Sequence, residues 1–286
     1  MNRNLLILLA VALLSGMAGA QTGTSDTVAP GESLPGLKGI PIRLDGPGYI
    51  EAGGSHSALT GGNSNWNDFY LRGMLSGGRN SFAVELNHES RFGDNGWFGG
   101  FGLTRTLSED WYAQISAGAS AGGFFLPRYR TDVLMNRKLL SKRQLVATFG
   151  FGFDQSRTVN HDERFQIEGA YYFQQLFVLQ GGVLWTHANP GNILAQTQFV
   201  ALNEGHDKEH FLSLRFAWGR EGYEVIGAPT VLVPAYNVLF NFPEHDITGT
   251  WRQWIGPNWG VSLVMEQHQE PTYHRIGGTA GVFLDF

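Results

Sequence analysis

From Pro47 onward, apolar and polar residues alternate along the chain with a period of two. One clear segment is the stretch from Ala147 to Asp154, where the two sets are Ala147, Phe149, Phe151, Phe153 and Thr148, Gly150, Gly152, Asp154. Because neighbouring side chains of a β-strand point to opposite faces, such a segment predicts a strand with one apolar face and one face of small or charged residues. The period therefore predicts an all-β protein.

Fourteen strands of this kind follow one another at even spacing. They are predicted at 48–58, 66–76, 80–91, 96–107, 111–121, 129–139, 143–154, 161–173, 177–188, 192–202, 209–218, 245–255, 258–269 and 274–286. The stretch 219–244 contains Pro229, Pro234 and Pro243. Since proline donates no ladder hydrogen bond, we predict one long loop there. Single-chain bacterial barrels have an even number of strands, and twelve to sixteen strands fit the same pattern.

Composition separates a barrel from a soluble β-sandwich, which alternates in the same way. The chain has 39 glycines and 13% aromatic residues, and charged residues are only 16%, below the roughly 25% of ordinary soluble domains. After the first twenty residues, no apolar run reaches the length of a membrane-spanning helix. The combination predicts a transmembrane, antiparallel up-and-down β-barrel of about fourteen strands over residues 47–286.

The two ends of the chain indicate export to the bacterial outer membrane. Residues 1–20 read as a signal peptide, with Arg3 before an apolar run and small residues at Ala18 and Ala20. Residues 21–46 are rich in Thr, Ser, Gly and Pro and predict a flexible periplasmic segment. The last strand closes on Phe286, which we interpret as the signal read by the barrel-assembly machinery. The net charge of −5 argues against nucleic acid as a partner.

Charged residues recur on the small, polar face of the strands, which faces the lumen of a barrel. The predicted lumen charges are Glu85, Glu89, Arg91, Asp154, Arg164, Glu168, Arg215, Arg252 and Glu266. They form either a constriction that selects solutes or a set of ion pairs that fills the interior. Because the two signs are nearly balanced, pairing is favoured, and the pattern predicts at most a narrow pore.

The histidines and one serine are the residues that could support a metal site or catalysis. The nine histidines are scattered over the predicted strand ends, with His206 and His210 at a periplasmic turn, so we expect neither a metal nor a cofactor. Ser90 and His88 lie two apart on one strand face, which is the minimum that a lipid-modifying enzyme needs. The chain has no G-x-S-x-G elbow, so we expect no enzymatic activity and keep a lipid-modifying enzyme as a second alternative.

Several segments resemble the YaiO-type outer-membrane β-barrel proteins. They are 91–94, 125–129 continuing to 138–139, 219–223, 252–260 and 273–275. The resemblance implies an outer-membrane location and an association with polysaccharide-building or glycosyltransferase systems. It brings no catalytic or binding residues. Some members follow a tetratricopeptide domain, and this chain shows no such helical repeat.

Charged residues at outer strand ends predict a rim around the mouth of the barrel. Asp94, Arg128 and Glu221 are expected to brace the long loop or to contact lipopolysaccharide phosphates. The predicted function is a narrow channel or an accessory scaffold linked to envelope or exopolysaccharide export, and a non-conducting structural barrel is the alternative. The expected partners are outer-membrane lipids, lipopolysaccharide, the assembly machinery, and a small solute or polysaccharide.

Overall fold

The computed structural model describes residues 46–173, 177–206, 208–227, 236–271 and 273–286. The predicted signal peptide and nearly all of the predicted segment 21–46 lie outside the described residues. None of the described residues forms a helix long and apolar enough to cross a bilayer.

Fourteen antiparallel strands form one closed barrel, which confirms the predicted fold class and strand number. The strands are β1 Gly48–Leu59, β2 Trp66–Gly77, β3 Asn80–Arg91, β4 Asp94–Thr106, β5 Trp111–Gly122, β6 Tyr129–Leu139, β7 Leu145–Gln155, β8 His161–Phe173, β9 Phe177–Asn189, β10 Ile193–His206, β11 His210–Gly227, β12 Tyr236–Trp254, β13 Trp259–Gln269 and β14 His274–Asp285. Each strand pairs with its neighbours in sequence, and β1 pairs with β14.

The pairing of β1 with β14 closes the sheet. Tyr49 lies opposite Asp285, and Gly48 and Phe286 exchange both of their backbone hydrogen bonds, each 2.9 Å long. The Phe286 side chain is 65% exposed, on the outer surface of this closure. Since every strand has two partners, the spanning backbone leaves no unpaired sheet edge.

The outer surface carries the apolar stripe of each strand. Phe69, Ile115, Phe149 and Met265 are exposed there, the last at 72%, as lipid-facing residues of a barrel must be. Trp97, Trp111, Trp251 and Trp259 are also exposed. Two other tryptophans that a membrane-interface belt would include are instead buried inside the barrel, at Trp66 and Trp254, because they share strand parity with the inward charges Asp68 and Arg252.

The two ends of the barrel differ in their connections. One end, here the turn end, holds Gly48 and Asp285 and the short connections 78–79, 107–110, 140–144 and 255–258. The opposite end, here the loop end, holds the connections 60–65, 123–128 and 156–160, shorter ones at 92–93 and 190–192, and the connection between the long strands β11 and β12. In outer-membrane barrels the short turns lie in the periplasm and the longer loops face outward.

The predicted long loop at 219–244 is wrong over most of its length. β11 continues to Gly227, β12 begins at Tyr236, and the two remain paired throughout. β10 stops pairing with β11 at Gly219, and β13 stops pairing with β12 at His245. The segments 220–227 and 236–244 thus form a two-stranded extension beyond the ring at the loop end. Pro243 lies in this extension, where its strand has only one neighbour and a missing N–H is tolerated.

Candidate functional site

A cavity of about 510 Å³ occupies the middle of the barrel and is here called the chamber. Small inward residues on β4 and β5 make room for it, among them Gly100, Ser116 and Gly118. Its charged lining comes from opposite sides of the barrel and consists of Arg72, Glu85, Arg130, Asp132, Glu168 and Arg215. Apolar groups, including Phe98, Leu134, Leu184 and Phe199, complete the wall.

Six of the nine predicted lumen charges are held in ion pairs. Arg91 lies 2.9 Å from Glu89, and Arg164 lies within ion-pair distance of Asp154. Glu266 accepts a hydrogen bond from Arg275 at 2.5 Å. Arg252 is the sixth, with its Nη2 atom 3.6 Å from a carboxylate oxygen of Glu51. These six charges neutralise one another or nearby groups.

The other three predicted lumen charges, Glu85, Glu168 and Arg215, have no ion-pair partner within 4.0 Å among the described residues. All three line the chamber. Glu168 accepts hydrogen bonds from two neutral amides, those of Gln166 at 3.2 Å and Gln180 at 3.3 Å. The Arg215 guanidinium lies over a phenylalanine ring of β10, 4.6 Å from its centre. The chamber thus presents two free carboxylates and one free guanidinium.

Sequence reasoning missed six inward charges that complete the pairs, namely Glu51, Asp68, Arg72, Arg130, Asp132 and Arg275. Arg72 lies 2.7 Å from Glu51, and Arg130 lies 3.1 Å from Asp132. The alternation of side chains along β2 could have revealed two of them, because Asp68 and Arg72 alternate with the exposed residues Phe69 and Leu71. Their partners lie on other strands, so the pairs themselves follow only from the register.

A buried layer closes the barrel at the turn end. Its centre is Arg252, which is 1% exposed and lies over the Phe283 ring at 3.8 Å. Tyr49 and Trp254 complete the aromatic surroundings, with ring centres 5.1 and 5.5 Å from the guanidinium carbon. Such contacts stabilise a cation that is removed from water.

The buried layer extends across the rest of the barrel. Tyr112 on β5 packs with Val146 on β7, and Phe211 on β11 is 2% exposed. Some polar members are paired, as in the bond that Thr148 donates to Asn136 at 2.7 Å, whereas the Gln114 amide has no hydrogen-bond partner among the described residues. Inward side chains around an open lumen would be wet, so their burial shows that this end is filled.

Asp94 is the rim residue with a clear bracing contact. Its carboxylate accepts a hydrogen bond from the backbone N–H of Phe124 in the β5–β6 loop at 2.9 Å and another from Asn95 at 2.8 Å. These bonds, the one from Phe124 first, lower the pKa of the Asp94 carboxyl, because they favour the charged form. The residue fastens a neighbouring loop rather than the extension of β11 and β12.

The other two predicted rim residues also lie at the loop end. Near Arg128, the side chain of Arg157 connects the β7–β8 loop to the end of β5, because it donates to the backbone carbonyls of Ser120 at 2.7 Å and Gly122 at 3.1 Å. Arg128 joins the same region through its backbone N–H, bonded to Gln155 at 2.6 Å. Glu221 lies on β11, at the start of the extension, near Glu244 and His268.

The predicted serine–histidine pair is not connected. His88 packs against Trp97, with ring centres 4.7 Å apart, and no hydrogen bond joins it to Ser90 in the described part of the chain. Residues two apart on one strand are separated by about 6.7 Å along the backbone. Among the described residues, Ser90 and His88 therefore do not form the hydrogen-bonded pair that the sequence suggested.

Similarity to known proteins agrees with this architecture. Residues 48–224 match the model of the YaiO membrane beta barrel domain. The chain belongs to this family. The matched region covers β1 to β10 and most of β11, whereas the resembling segments at 252–260 and 273–275 lie beyond it. Membership and fold place this YaiO-family barrel in the bacterial outer membrane.

Solved structures that align with this barrel include a hydrocarbon channel and an outer-membrane protein. The CymD monoaromatic hydrocarbon channel aligns with a TM-score of 0.56 at 7% identity, covering 85% of this chain and 88% of CymD. Omp33 of Acinetobacter baumannii aligns with a TM-score of 0.47 at 10% identity, covering 84% of this chain and 99% of Omp33. At such identities the likeness concerns the fold alone. No curated protein matches the sequence.

Proposed function

We propose that this barrel is a narrow, selective outer-membrane channel that admits a small polar solute to the chamber from the loop end. The observation that carries the proposal is the presence of three unpaired charges, Glu85, Glu168 and Arg215, around a 510 Å³ cavity. A charge without a partner is costly inside a protein. Charges kept free around a cavity of this size are suited to contact water or a polar solute.

The excess of carboxylates among the free charges gives the chamber a preference. Two negative groups face one positive group, so we expect cations or solutes with an amino group to be favoured over anions. The buried layer around Arg252 is the barrier to passage at the turn end, and its displacement opens the channel.

Conductance in planar bilayers tests this proposal. We expect very small or brief openings from the wild-type barrel and a several-fold larger conductance from Arg252→Ala/Phe283→Ala, which removes the centre of the buried layer. Heat-modifiable migration on gels would confirm that each variant is folded. If the folded double variant passes no current at any voltage, the channel proposal fails.

A non-conducting scaffold is the second candidate, favoured by the complete filling of the turn end. In that case the chamber is only the space left between the paired charges. The same recordings separate the candidates, because a scaffold stays silent in both forms. Exclusion of a small fluorescent cation from vesicles that contain either form would support the scaffold.

A link to exopolysaccharide or envelope export is the finer part of the proposal and rests on the family resemblance. A polymer needs a continuous passage, so the closed turn end favours an accessory role over a polymer conduit. Surface polysaccharide should fall when the gene is deleted and recover with the wild-type protein. Unchanged polysaccharide in the deletion strain would remove the link.

The proposed partners follow from the surface. The apolar outer face contacts lipid, the loop end meets lipopolysaccharide, and β14 with Phe286 is read by the assembly machinery. Phe286 shares two hydrogen bonds with Gly48, so its side chain is free to be recognised while its backbone closes the barrel. Phe286→Ala should lower the amount of assembled protein in membranes and leave the stability of the purified barrel nearly unchanged.

A further inference from the structure

Three metal-ligating side chains converge inside the loop end, away from the chamber. They are Glu221 on β11, Glu244 on β12 and His268 on β13, and one ligand atom of each lies within 4.8 Å of the others. The three strands are consecutive in the sheet, and these positions share its inner face. The convergence is therefore a product of the register.

The histidine of this group is prepared to accept a ligand. The His268 side chain is only 8% exposed, and its Nδ1 atom lies 2.9 Å from a carboxylate oxygen of Asp246. Its Nε2 atom is buried and has no hydrogen-bond partner among the described residues. A carboxylate at Nδ1 keeps the proton on that nitrogen and leaves the Nε2 lone pair free, as second-shell carboxylates do for metal-bound histidines.

The two carboxylates of the group lack a counter-charge. Glu244 accepts a hydrogen bond from the Thr197 hydroxyl at 2.8 Å. Neither Glu221 nor Glu244 has a lysine or arginine within 4.0 Å in the part of the chain that the structure describes. Two carboxylates at this separation repel each other. A cation between them would remove the repulsion and would satisfy the buried imidazole nitrogen.

We propose that Glu221, Glu244 and His268 bind one divalent transition-metal ion, with Asp246 orienting the histidine. One imidazole nitrogen and two carboxylate oxygens suit Zn²⁺, which takes His, Asp and Glu ligands and fills its remaining positions with water. Because Glu221 and Glu244 stand at the base of the extension and His268 on the adjoining strand, the ion ties the extension to the ring at the mouth of the barrel.

A second group of ligands, at the turn end, serves as the comparison. Glu204 lies 2.9 Å from His206 and 3.1 Å from His210, so its carboxylate already pairs with both rings. The two histidine side chains are 42% and 33% exposed. The His206 Nδ1 atom is also buried without a hydrogen bond, but it already lies 2.9 Å from the Glu204 carboxylate. Among the described residues no carboxylate lies within 4.0 Å of the free nitrogen of His268.

Titration of the chelator-stripped, full-length barrel with Zn²⁺ alone tests the proposal. We expect one bound ion by calorimetry and elemental analysis, with affinity reduced at least about tenfold in His268→Ala and Glu244→Gln. Asp246→Asn should weaken binding about 10–100-fold, an effect that a purely structural aspartate would not produce. Visible absorption of bound Co²⁺ supplies an independent signature of the ligand set.

The double variant His206→Ala/His210→Ala is the matched control and should bind Zn²⁺ as the wild type does. Each variant is first checked for folding by heat-modifiable migration. The proposal is overturned if the wild type binds no Zn²⁺. It is also overturned if the control loses the ion while His268→Ala keeps it, or if both lose it equally.

Discussion

The two sides of the barrel interior use the same alternation of residues and reach opposite results. On the side formed by β12–β14 and β1–β3, the interior is filled by linked polar groups. Glu51 accepts hydrogen bonds from Tyr70 at 2.9 Å, Arg72 at 2.7 Å and Ser262 at 2.7 Å. The chamber remains between this network, where Arg72 and Glu85 border it, and the wall formed by β4–β11.

Inward glycines occur on both sides, and on the filled side a Cβ atom at Gly281 would come within 2.2 Å of the Tyr70 hydroxyl. Inward glycines on β7 let neighbouring side chains lie directly over the sheet. A Cβ atom at Gly150 would come within 2.5 Å of the Gln166 side chain, and one at Gly152 within 2.5 Å of Asp132. At these glycines, the polar side chains of neighbouring strands lie close to the barrel wall, and the centre of the chamber stays free.

The largest effect is expected from removing the cation of the filled side. Arg252→Ala leaves the buried carboxylate of Glu51 with one ionic partner fewer, a type of change that costs about 3–5 kcal/mol. Urea unfolding in lipid vesicles measures the loss. Arg143→Ala is the control, because Arg143 pairs with Glu109 and Asp110 at an exposed turn. Equal losses in the two variants would show that the buried network adds nothing special.

The next effect concerns the chamber side. Ser116→Trp places a large ring in the chamber and should reduce the conductance of the opened barrel to about a tenth or less. Ile115→Trp is the matched control, since Ile115 lies next to Ser116 but is exposed on the outer surface. Bilayer recordings in the Arg252→Ala/Phe283→Ala background make the comparison. A similar decrease in both would contradict passage through the chamber.

A smaller effect is expected from the free charges. Glu85→Gln and Glu168→Gln should each lower the cation-to-anion permeability ratio about two- to fivefold, and Arg215→Gln should raise it. Glu89→Gln should change it less, because that carboxylate is neutralised by Arg91 at 2.9 Å. Reversal potentials in a salt gradient give the ratios. If Glu89 proved as influential as Glu85, ion pairing would not decide selectivity.

The smallest effect is a local pH dependence at the loop end. Because the folded-state pKa of Asp94 is lowered, its bracing of the β5–β6 loop is complete above the ordinary aspartate pKa of about 4 and is lost as the pH falls through the lowered value. Hydrogen exchange of the Phe124 amide should rise in that acidic range. Asp94→Asn should abolish most of the pH dependence, and a persistent dependence would point to another group.

Much of the fold was predictable because lipid imposes a strict pattern. Every spanning strand must alternate, so the strands and the facing of Glu85 or Arg215 follow from the sequence. The extension formed by 220–227 and 236–244 was missed because prolines normally end central strands. Pro243 escapes that rule because β12 has only one neighbour there. Trp254 lies at a strand end, as membrane-interface tryptophans do, but it faces the interior because it lies two residues from the inward Arg252 on the same strand.

For the site, the sequence predicts which charged residues face the interior but not which of them contact one another. Inward charges and their tendency to pair follow from alternation and sign balance. Which charges stay free depends on register across strands that are distant in sequence, as when Glu51 receives its hydrogen bond from Ser262. The convergence of Glu221 with His268 likewise depends on an extension that the prolines concealed.

The seam between β1 and β14 has a consequence for how such a chain tolerates insertions and deletions. In an open sheet, a one-residue slip between two strands can end at a free margin. Here every strand is locked to two others, and Tyr49 faces Asp285 across the closure. A residue inserted within a spanning strand must therefore form a local bulge or be matched by a shift in the neighbouring strand. Without such a correction, the lipid-facing and lumen-facing side chains would exchange faces. We therefore expect insertions and deletions to accumulate in the connections during evolution rather than in the strands.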